Sequence, residues 1–193
     1  SQVTPERMQL DPNNDLLSHM PLRRMEGEVL RDTLLSLAGK LDLTPFGPPD
    51  GVQARADGLV TSSARDGRYR RSIYMQKRRT QPLTILNNFD VAQMDPNNVE
   101  RTESIVAPQA LHLTNNQMVY ELARSFAERI WESTGGDTSA QIDAAYQLVA
   151  SRPPTVAERT TSLKALETLA AHWFEAHPGT EPLVEARKPL WLR

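Results

Sequence analysis

Proline constrains the fold of this chain more than any other residue, because a proline inside a helix removes a hydrogen bond and clashes with the preceding turn. The 193 residues include 14 prolines, and their spacing is uneven. Residues 22–44 and 109–152 contain none, so helices can form there. The stretch between residues 40 and 108 is interrupted repeatedly, which predicts a long irregular insertion; it contains Pro45, Pro48, Pro49, Pro82 and Pro96.

The first predicted helix covers residues 22–38. Pro21 stands at its first turn, where the missing N–H costs least, and Gly39 is a suitable C-terminal stop. Apolar residues recur there at three- and four-residue steps, which predicts one buried stripe. The stripe comprises Leu22, Met25, Val29, Thr33 and Leu37.

The same periodicity predicts three further helices in the second half of the chain, over residues 116–133, 139–150 and 156–177, with a shorter helical turn over residues 108–113. Each longer helix begins with a polar residue able to accept hydrogen bonds from the first free N–H groups. The predicted caps are Asn115 or Asn116 for the first, Thr138 with Gln141 for the second, and Thr155 with Glu158 for the third.

Two β elements are predicted inside the insertion. Residues 52–56 and 59–62 flank the dipeptide Asp57-Gly58, which favours a type I′ turn and therefore a small hairpin. Residues 68–79 alternate imperfectly and predict a strand. The face of that strand would carry Tyr69, Arg71, Ile73 and Met75.

The sequence therefore predicts a mainly α fold, a helical bundle-like domain with a long irregular proline-rich insertion and a small β-hairpin. We expect one domain over residues 1–193, and a fragment of a larger chain, because an apolar cluster fills residues 189–192. The polar start has no features of a signal peptide. The expected parts are a polar lead-in (1–21), a helix (22–39), an irregular region (40–108), helices (109–177) and a tail (178–193).

Composition excludes several classes of function. The chain contains no cysteine, so it forms no disulfide, thiolate nucleophile or covalent c-type haem link. No apolar run approaches the roughly 18 residues of a membrane span. The net charge of −2 argues against nucleic acid as a partner. Glycine-rich phosphate loops and nucleophile elbows are missing, and no cofactor is predicted.

The most unusual local feature is a basic segment at residues 68–79. Six of its twelve residues are basic and none is acidic, whereas the rest of the chain has 16 basic and 24 acidic residues. Basic side chains interleaved with tyrosine are typical of surfaces that bind anionic polymers. The alternative is that the arginines pair with the chain's own carboxylates. The candidate binding residues are Arg68, Arg70, Arg71, Tyr74, Lys77, Arg78 and Arg79.

Other candidate sites are weaker. The four histidines lack metal-site spacing, which favours structural roles. Residues 95–100 offer alternating oxygen ligands, but the sequence favours a turn over a calcium loop. An enzyme acting on carbohydrate remains an alternative to a binding module. Its local polar candidates would be Glu100, Arg101, Glu103 and His112.

Four segments, in order, resemble one family. They read LRRMEGEVLRD at residues 22–32, RRSIY at 70–74, SIVAPQAL at 104–111, and AY at 145–146 followed by SRPPT at 151–155. Their order and spacing are similar to the planctomycete-specific PSD-one domain, a domain of unknown function. The resemblance covers roughly residues 11–173, and Asn98 stands where relatives often carry a cysteine.

The resemblance implies a C-terminal part of a large exported bacterial protein, with another uncharacterised domain before it and often a c-type cytochrome domain further upstream. Periplasmic or extracellular location follows as an expectation from the resemblance. Relatives are suspected of acting on complex, often sulfated, polysaccharides, but no catalytic residue is established to carry over. We therefore predict a non-catalytic module that packs against the preceding domain and binds acidic or sulfated polysaccharide through the basic segment.

Overall fold

A computed structural model describes residues 4–21, 23–92 and 103–177 of the chain. Over these residues the fold is mainly α with one small hairpin, which confirms the fold class predicted from the sequence. The described helices are α1 (Pro5–Leu10), α2 (Gly27–Leu37), α3 (Thr84–Asn88), α4 (Ala107–Asn115), α5 (Gln117–Thr134), α6 (Thr138–Ala150) and α7 (Val156–Ala176).

The predicted hairpin is confirmed. Strand β2 (Val52–Ala54) pairs antiparallel with β3 (Val60–Ser62), and the turn passes through Asp57-Gly58. Gly58 has a φ of +83°, which glycine adopts without a Cβ clash, and Asp57 Oδ1 accepts a hydrogen bond from the Leu59 N–H at 3.1 Å. The predicted type I′ turn is wrong, because Asp57 does not have a positive φ. Gly58 alone is left-handed, and its N–H donates to the Arg55 carbonyl at 3.0 Å.

The predicted strand over residues 68–79 is largely wrong. Within residues 68–79, only Tyr69–Arg70 forms a strand (β4), which pairs in parallel with β1 (Leu41–Asp42), and Met75 forms an isolated bridge with Asp50. A 3₁₀ turn (Ser72–Tyr74) follows, and Ile73, expected on the strand face, is 76% exposed. The physical reason is a side chain on α2, described below, that captures the backbone at the start of this turn.

The first helix begins later than predicted. Helix α2 starts at Gly27, and Glu26 before it is extended, so residues 23–26 are not helical. A Cβ on Gly27 would lie 3.1 Å from the Cβ of Phe89, so the helix start approaches α3 and its C-cap closely. The residues before Gly27 leave the helical path, and the guanidinium of Arg24 forms an ion pair with Asp90, with 3.3 Å between Nη1 and Oδ2. Tertiary contact, rather than helix propensity, sets this boundary.

The predicted apolar stripe of that helix is also wrong. Met25 and Val29 are half exposed, and Leu22 lies outside the described residues. The buried side of α2 instead comprises Gly27, Arg31 and Leu35, flanked by the partly buried Leu30 and Leu34. The buried face of α2 therefore differs from the predicted one, because the cationic Arg31 has its hydrogen-bond partners in the interior.

Helices α4 to α7 follow the sequence prediction closely. Asn116 caps α5 by accepting from the N–H of Met118 at 2.9 Å, and Gly135 ends that helix in the left-handed conformation. Thr155 and Glu158 form the predicted capping box of α7. Helix α6 is an exception, since Asp137 caps it in place of Thr138. Asp137 Oδ1 accepts from the Ser139 N–H at 3.0 Å, and aspartate is among the preferred N-cap residues.

The core lies around α2. One cluster joins the hairpin to α3, and a second joins α2 to α5. Helices α1 and α3, neither predicted from the sequence, differ in this respect: α3 contributes to the core, whereas α1 has no buried residue. The buried core residues of the two clusters are Val52, Leu83, Ile85, Leu86 and Phe89, and Leu35, Ala38 and Leu122.

Candidate functional site

The basic segment divides into side chains that face the interior and side chains that face solvent. Arg70 is 3% exposed, and Tyr74 is partly buried. Arg68, Arg71, Lys77, Arg78 and Arg79 are exposed. The seven candidate residues therefore do not form one continuous binding face, and the two groups have to be considered separately.

Arg70 holds the proline-rich loop that follows β1. Its guanidinium donates hydrogen bonds to the carbonyl of Pro48 at 2.8 Å and to the carbonyls of Thr44 and Phe46. The ring of Tyr74 lies 4.0 Å from the guanidinium carbon, and the hydroxyl of Tyr74 accepts from the Phe46 N–H at 3.2 Å. A planar cation with several donors suits this task, so Arg70 and Tyr74 organise the loop rather than face a ligand.

Asp32 on α2 captures the backbone between β4 and the 3₁₀ turn. Its Oδ1 accepts from the Ser72 N–H at 2.8 Å and from the Ser72 hydroxyl at 2.7 Å. Its Oδ2 faces Arg71, whose Nε lies 3.7 Å away. The alternative raised from the sequence, that an arginine of this segment pairs with a carboxylate of the first helix, therefore holds for Arg71.

Arg31 is the central residue of this region, and its role was not predicted from the sequence. It is 1% exposed and donates to the Arg70 carbonyl at 3.0 Å, to the Ser72 hydroxyl at 3.2 Å and to the Ser62 hydroxyl at 3.1 Å. Burial lowers its pKa, and the nearby Asp32 opposes that shift. Arg31 thus connects α2 to β3, β4 and the 3₁₀ turn. The one sequence signal for its burial is the four-residue spacing of Gly27, Arg31 and Leu35, which places all three on the same face of α2.

The remaining cations extend from this framework into solvent. The ammonium of Lys77 donates to the carbonyl of Ala92, and the Nε of Arg78 donates to Gln76 Oε1 at 3.2 Å. Arg68 lies at a tight turn, where its backbone pairs with that of Arg65 in both directions. Arg79 is exposed. Among the described residues, Lys77, Arg78 and Arg79 form no ion pair with an acidic side chain, whereas Arg68 interacts electrostatically with the Asp42 carboxylate.

An open groove of about 670 Å³ runs between α2 and the end of the basic segment. Its lining combines apolar side chains with charged side chains of both signs. Two apolar residues of this lining are accessible to solvent: Val29 is half exposed, and Ile73 is largely exposed. Residues that line this groove include Asp32, Arg71, Ile73, Met75, Lys77 and Leu86. The groove connects two of the predicted binding residues, Arg71 and Lys77, to one concave surface.

A second polar cluster joins residues 88–90 to residues 104–109. Asp90 accepts hydrogen bonds from the N–H and hydroxyl of Ser104, both at 2.8 Å. These bonds, with Arg24 beside them, lower the pKa of Asp90 against the opposing effect of burial. Gln109 Nε2 donates to the carbonyls of Asn88 and Ser104 at 2.9 and 3.1 Å. The cluster fixes the approach of α4 to α3.

The candidate catalytic residues are only partly visible. Glu103 is exposed, whereas His112 is buried, edge-on to Phe89 and 3.3 Å from the Asn88 amide. Burial lowers the pKa of His112, which favours the neutral form of its ring. Glu100, Arg101 and the candidate calcium turn at residues 95–100 lie outside the described residues. Across residues 4–21, 23–92 and 103–177, no group of three acidic or histidine side chains could hold a metal ion.

The geometry defines a mainly α domain built around a buried arginine, with cations directed outward on one side. A family model described as PSD1, a protein of unknown function (DUF1553), matches residues 1–166. The chain therefore belongs to this family, in agreement with the resemblance of its four sequence segments. Searches of the curated proteins and of the solved structures gave no match. No described helix combines the length and apolar character needed to cross a bilayer.

Proposed function

We propose that this domain is a non-catalytic binding module of an exported, multidomain bacterial protein, and that it binds acidic or sulfated polysaccharide. Export, a periplasmic or extracellular location, a preceding domain and a cytochrome-bearing, planctomycete parent are the parts of this proposal that rest on the family resemblance alone. The choice of ligand rests on the outward-facing cations.

The observation that carries the proposal is the division of the basic segment. Arg70 and Arg71 are engaged with the loop carbonyls and with Asp32, so they anchor the segment. Lys77, Arg78 and Arg79 follow directly and are exposed. A short run of anchored backbone with consecutive exposed cations presents charge to a polyanion at little conformational cost. The groove beside Lys77 and Arg71 gives a sugar ring an apolar surface to contact.

The test is binding of the full chain to immobilised heparin, a sulfated polysaccharide, with carboxylated and neutral polysaccharides as comparisons. We expect retention on the sulfated matrix that weakens as salt rises, because anion binding releases counterions. The double variant R78S/R79S is expected to raise Kd about tenfold, since two charges at roughly 0.7 kcal/mol each amount to one decade.

A matched control removes two exposed cations elsewhere. Arg7 lies on α1 and Lys164 on α7, and both are exposed. The variant R7S/K164S changes the net charge equally and is expected to bind heparin as the unmodified chain does. Equal weakening by both pairs would show only a general charge effect and would overturn the assignment to the basic segment. Absence of retention at low salt would overturn polyanion binding itself.

A further inference from the structure

A second groove, with a different chemical character, lies among the last three helices of the described fold. Helices α5, α6 and α7 meet around an apolar depression of about 310 Å³. It is separate from the buried clusters around α2, and only a few polar atoms reach it. Its lining includes Phe126, Ile130, Gln141, Ile142, Ala145 and Leu166.

One polar group in this lining has no partner. Gln141 is 5% exposed, and its Nε2 is buried without a hydrogen bond. A buried amide N–H left unsatisfied is unfavourable, because it has lost its water and gained nothing in exchange. An occupant of the groove that brings a carbonyl oxygen would satisfy this donor. The unpartnered amide therefore distinguishes this groove from a merely irregular surface.

Helix α7 also lacks a complete packing partner. It has 21 residues, and none of them is buried. Leu166 lines the groove from α7 while remaining partly exposed, and Leu169 is largely exposed. A helix of this length normally buries an apolar stripe against a neighbour. The face shared by α6 and α7 is therefore incompletely covered by the described residues.

We propose that this groove binds the chain's own residues 189–192, Pro-Leu-Trp-Leu, as an intramolecular docking segment. These residues lie outside the described part of the chain, and the segment that contains them continues directly from α7. Ten residues separate Leu166 from Ala176, a rise of about 15 Å along the helix. Residues 178–189 can span up to about 40 Å, so the cluster reaches back to the groove with length to spare.

The chemistry of the two partners is complementary. Leu190, Trp191 and Leu192 are large and apolar, as the groove lining is, and a tryptophan side chain alone buries 150–250 Å². Their backbone carbonyls are acceptors for Gln141 Nε2. The segment therefore supplies both things that the groove lacks, an apolar cover and a hydrogen-bond acceptor.

Hydrogen exchange on the full chain, read by mass spectrometry, tests this proposal. The variant L190S/W191S/L192S is expected to speed exchange at least about tenfold in the amides of α6 and the end of α5, and to leave α2 and α3 unchanged. The tail offers a matched control, because L183S/V184S also removes apolar residues from the same segment. This control is expected to exchange as the unmodified chain does. Equal exchange in all three proteins would overturn the proposal.

A second measurement works from the groove side. Full-length protein labelled with 5-fluorotryptophan gives one ¹⁹F resonance for each of its three tryptophans, and W191F assigns that of Trp191. The substitution Ala145→Arg fills the groove and is expected to move the Trp191 resonance to its solvent-exposed position. An unmoved Trp191 resonance would overturn docking. Dilution distinguishes docking within one chain from docking between two copies. A Trp191 resonance that changes with protein concentration would show that the groove binds a second copy, and it would likewise overturn intramolecular docking.

Discussion

Residues 27–92 and residues 117–176 bury their side chains in different ways. Apart from α2, the first region has only short regular elements, yet it contains most of the core and two almost fully buried arginines, Arg31 and Arg70. The second consists of three long, well-capped helices, and the longest of them, α7, has no buried residue. Regular secondary structure and tertiary burial are therefore separate properties in this domain, and local sequence signals report mainly the first.

Replacing Arg31 is expected to give the largest effect and would test whether buried polar contacts hold the irregular region. The variant Arg31→Met leaves the hydroxyls of Ser62 and Ser72 and the carbonyl of Arg70 without their donor. We expect a loss of about 3 kcal/mol in the free energy of unfolding, measured by urea denaturation. Arg124→Met, on the exposed side of α5, is the control and should stay within about 0.5 kcal/mol. Similar losses from both would contradict the contrast between the regions.

The next effect, at Arg70, sharpens the comparison by keeping the charge and changing only its geometry. A lysine cannot donate to the carbonyls of Thr44, Phe46 and Pro48 together, because it lacks the planar fork. We expect Arg70→Lys to cost about 2 kcal/mol of unfolding free energy and to speed amide exchange around residues 44–50. Arg68→Lys, two residues earlier and exposed, should change neither. An unaltered loop in Arg70→Lys would show that Arg70 does not organise it.

The same contrast explains what could be predicted from the sequence. Local signals predicted the caps at Asn116 and Thr155 and the position of the hairpin turn at Asp57-Gly58, because each depends on residues within four positions of one another. The buried face of α2 was not predictable from local signals. It depends on hydrogen bonds from Arg31 to Ser62 and Ser72, which are 31 and 41 residues further along the chain. The apolar positions Met25 and Val29 pointed to the wrong face for that reason.

The candidate binding segment shows the same limit. Composition identified it, but could not separate Arg70, which is buried against a loop 22 residues earlier, from Arg78 and Arg79, which are exposed. Contacts with distant residues decide which cations of the segment are buried and which are exposed, and the sequence of the segment itself does not reveal those contacts. For such segments, charge density identifies a region, and only the packing of the neighbouring elements identifies which side chains are available.

Removing a cap from the regular region is expected to give a smaller, local effect. Asn116→Ala deprives the N–H groups of Met118 and Val119 of their acceptor. We expect about 1 kcal/mol of lost unfolding free energy, measured by thermal or urea denaturation. Asn115→Ala, the neighbouring position, offers a matched control that should leave stability nearly unchanged. Equal effects at the two positions would mean that the cap is not what stabilises the start of α5.

The smallest effect concerns the start of α7, where a polar contact lies in solvent rather than in the core. The guanidinium of Arg152 donates two hydrogen bonds to the Glu158 carboxylate, at 2.8 and 2.7 Å, and the Thr155 N–H donates a third. Together they lower the pKa of Glu158 from an ordinary 4.5 to about 2. Because the folded-state pKa is the lower one, the stabilisation is complete above pH 4.5 and is lost as the pH falls toward 2.

An NMR titration of the Glu158 side-chain carboxyl checks this prediction directly, and Arg152→Gln is the matched variant. We expect that substitution to return the midpoint toward its ordinary value, since the Arg152 hydrogen bonds are the largest cause of the shift. The effect on global stability should be slight, because both side chains are exposed to solvent that screens their attraction. A midpoint that stays near 2 without Arg152 would show that the hydrogen bonds from Thr155 and the helix N-terminus suffice to hold this carboxylate in its charged form.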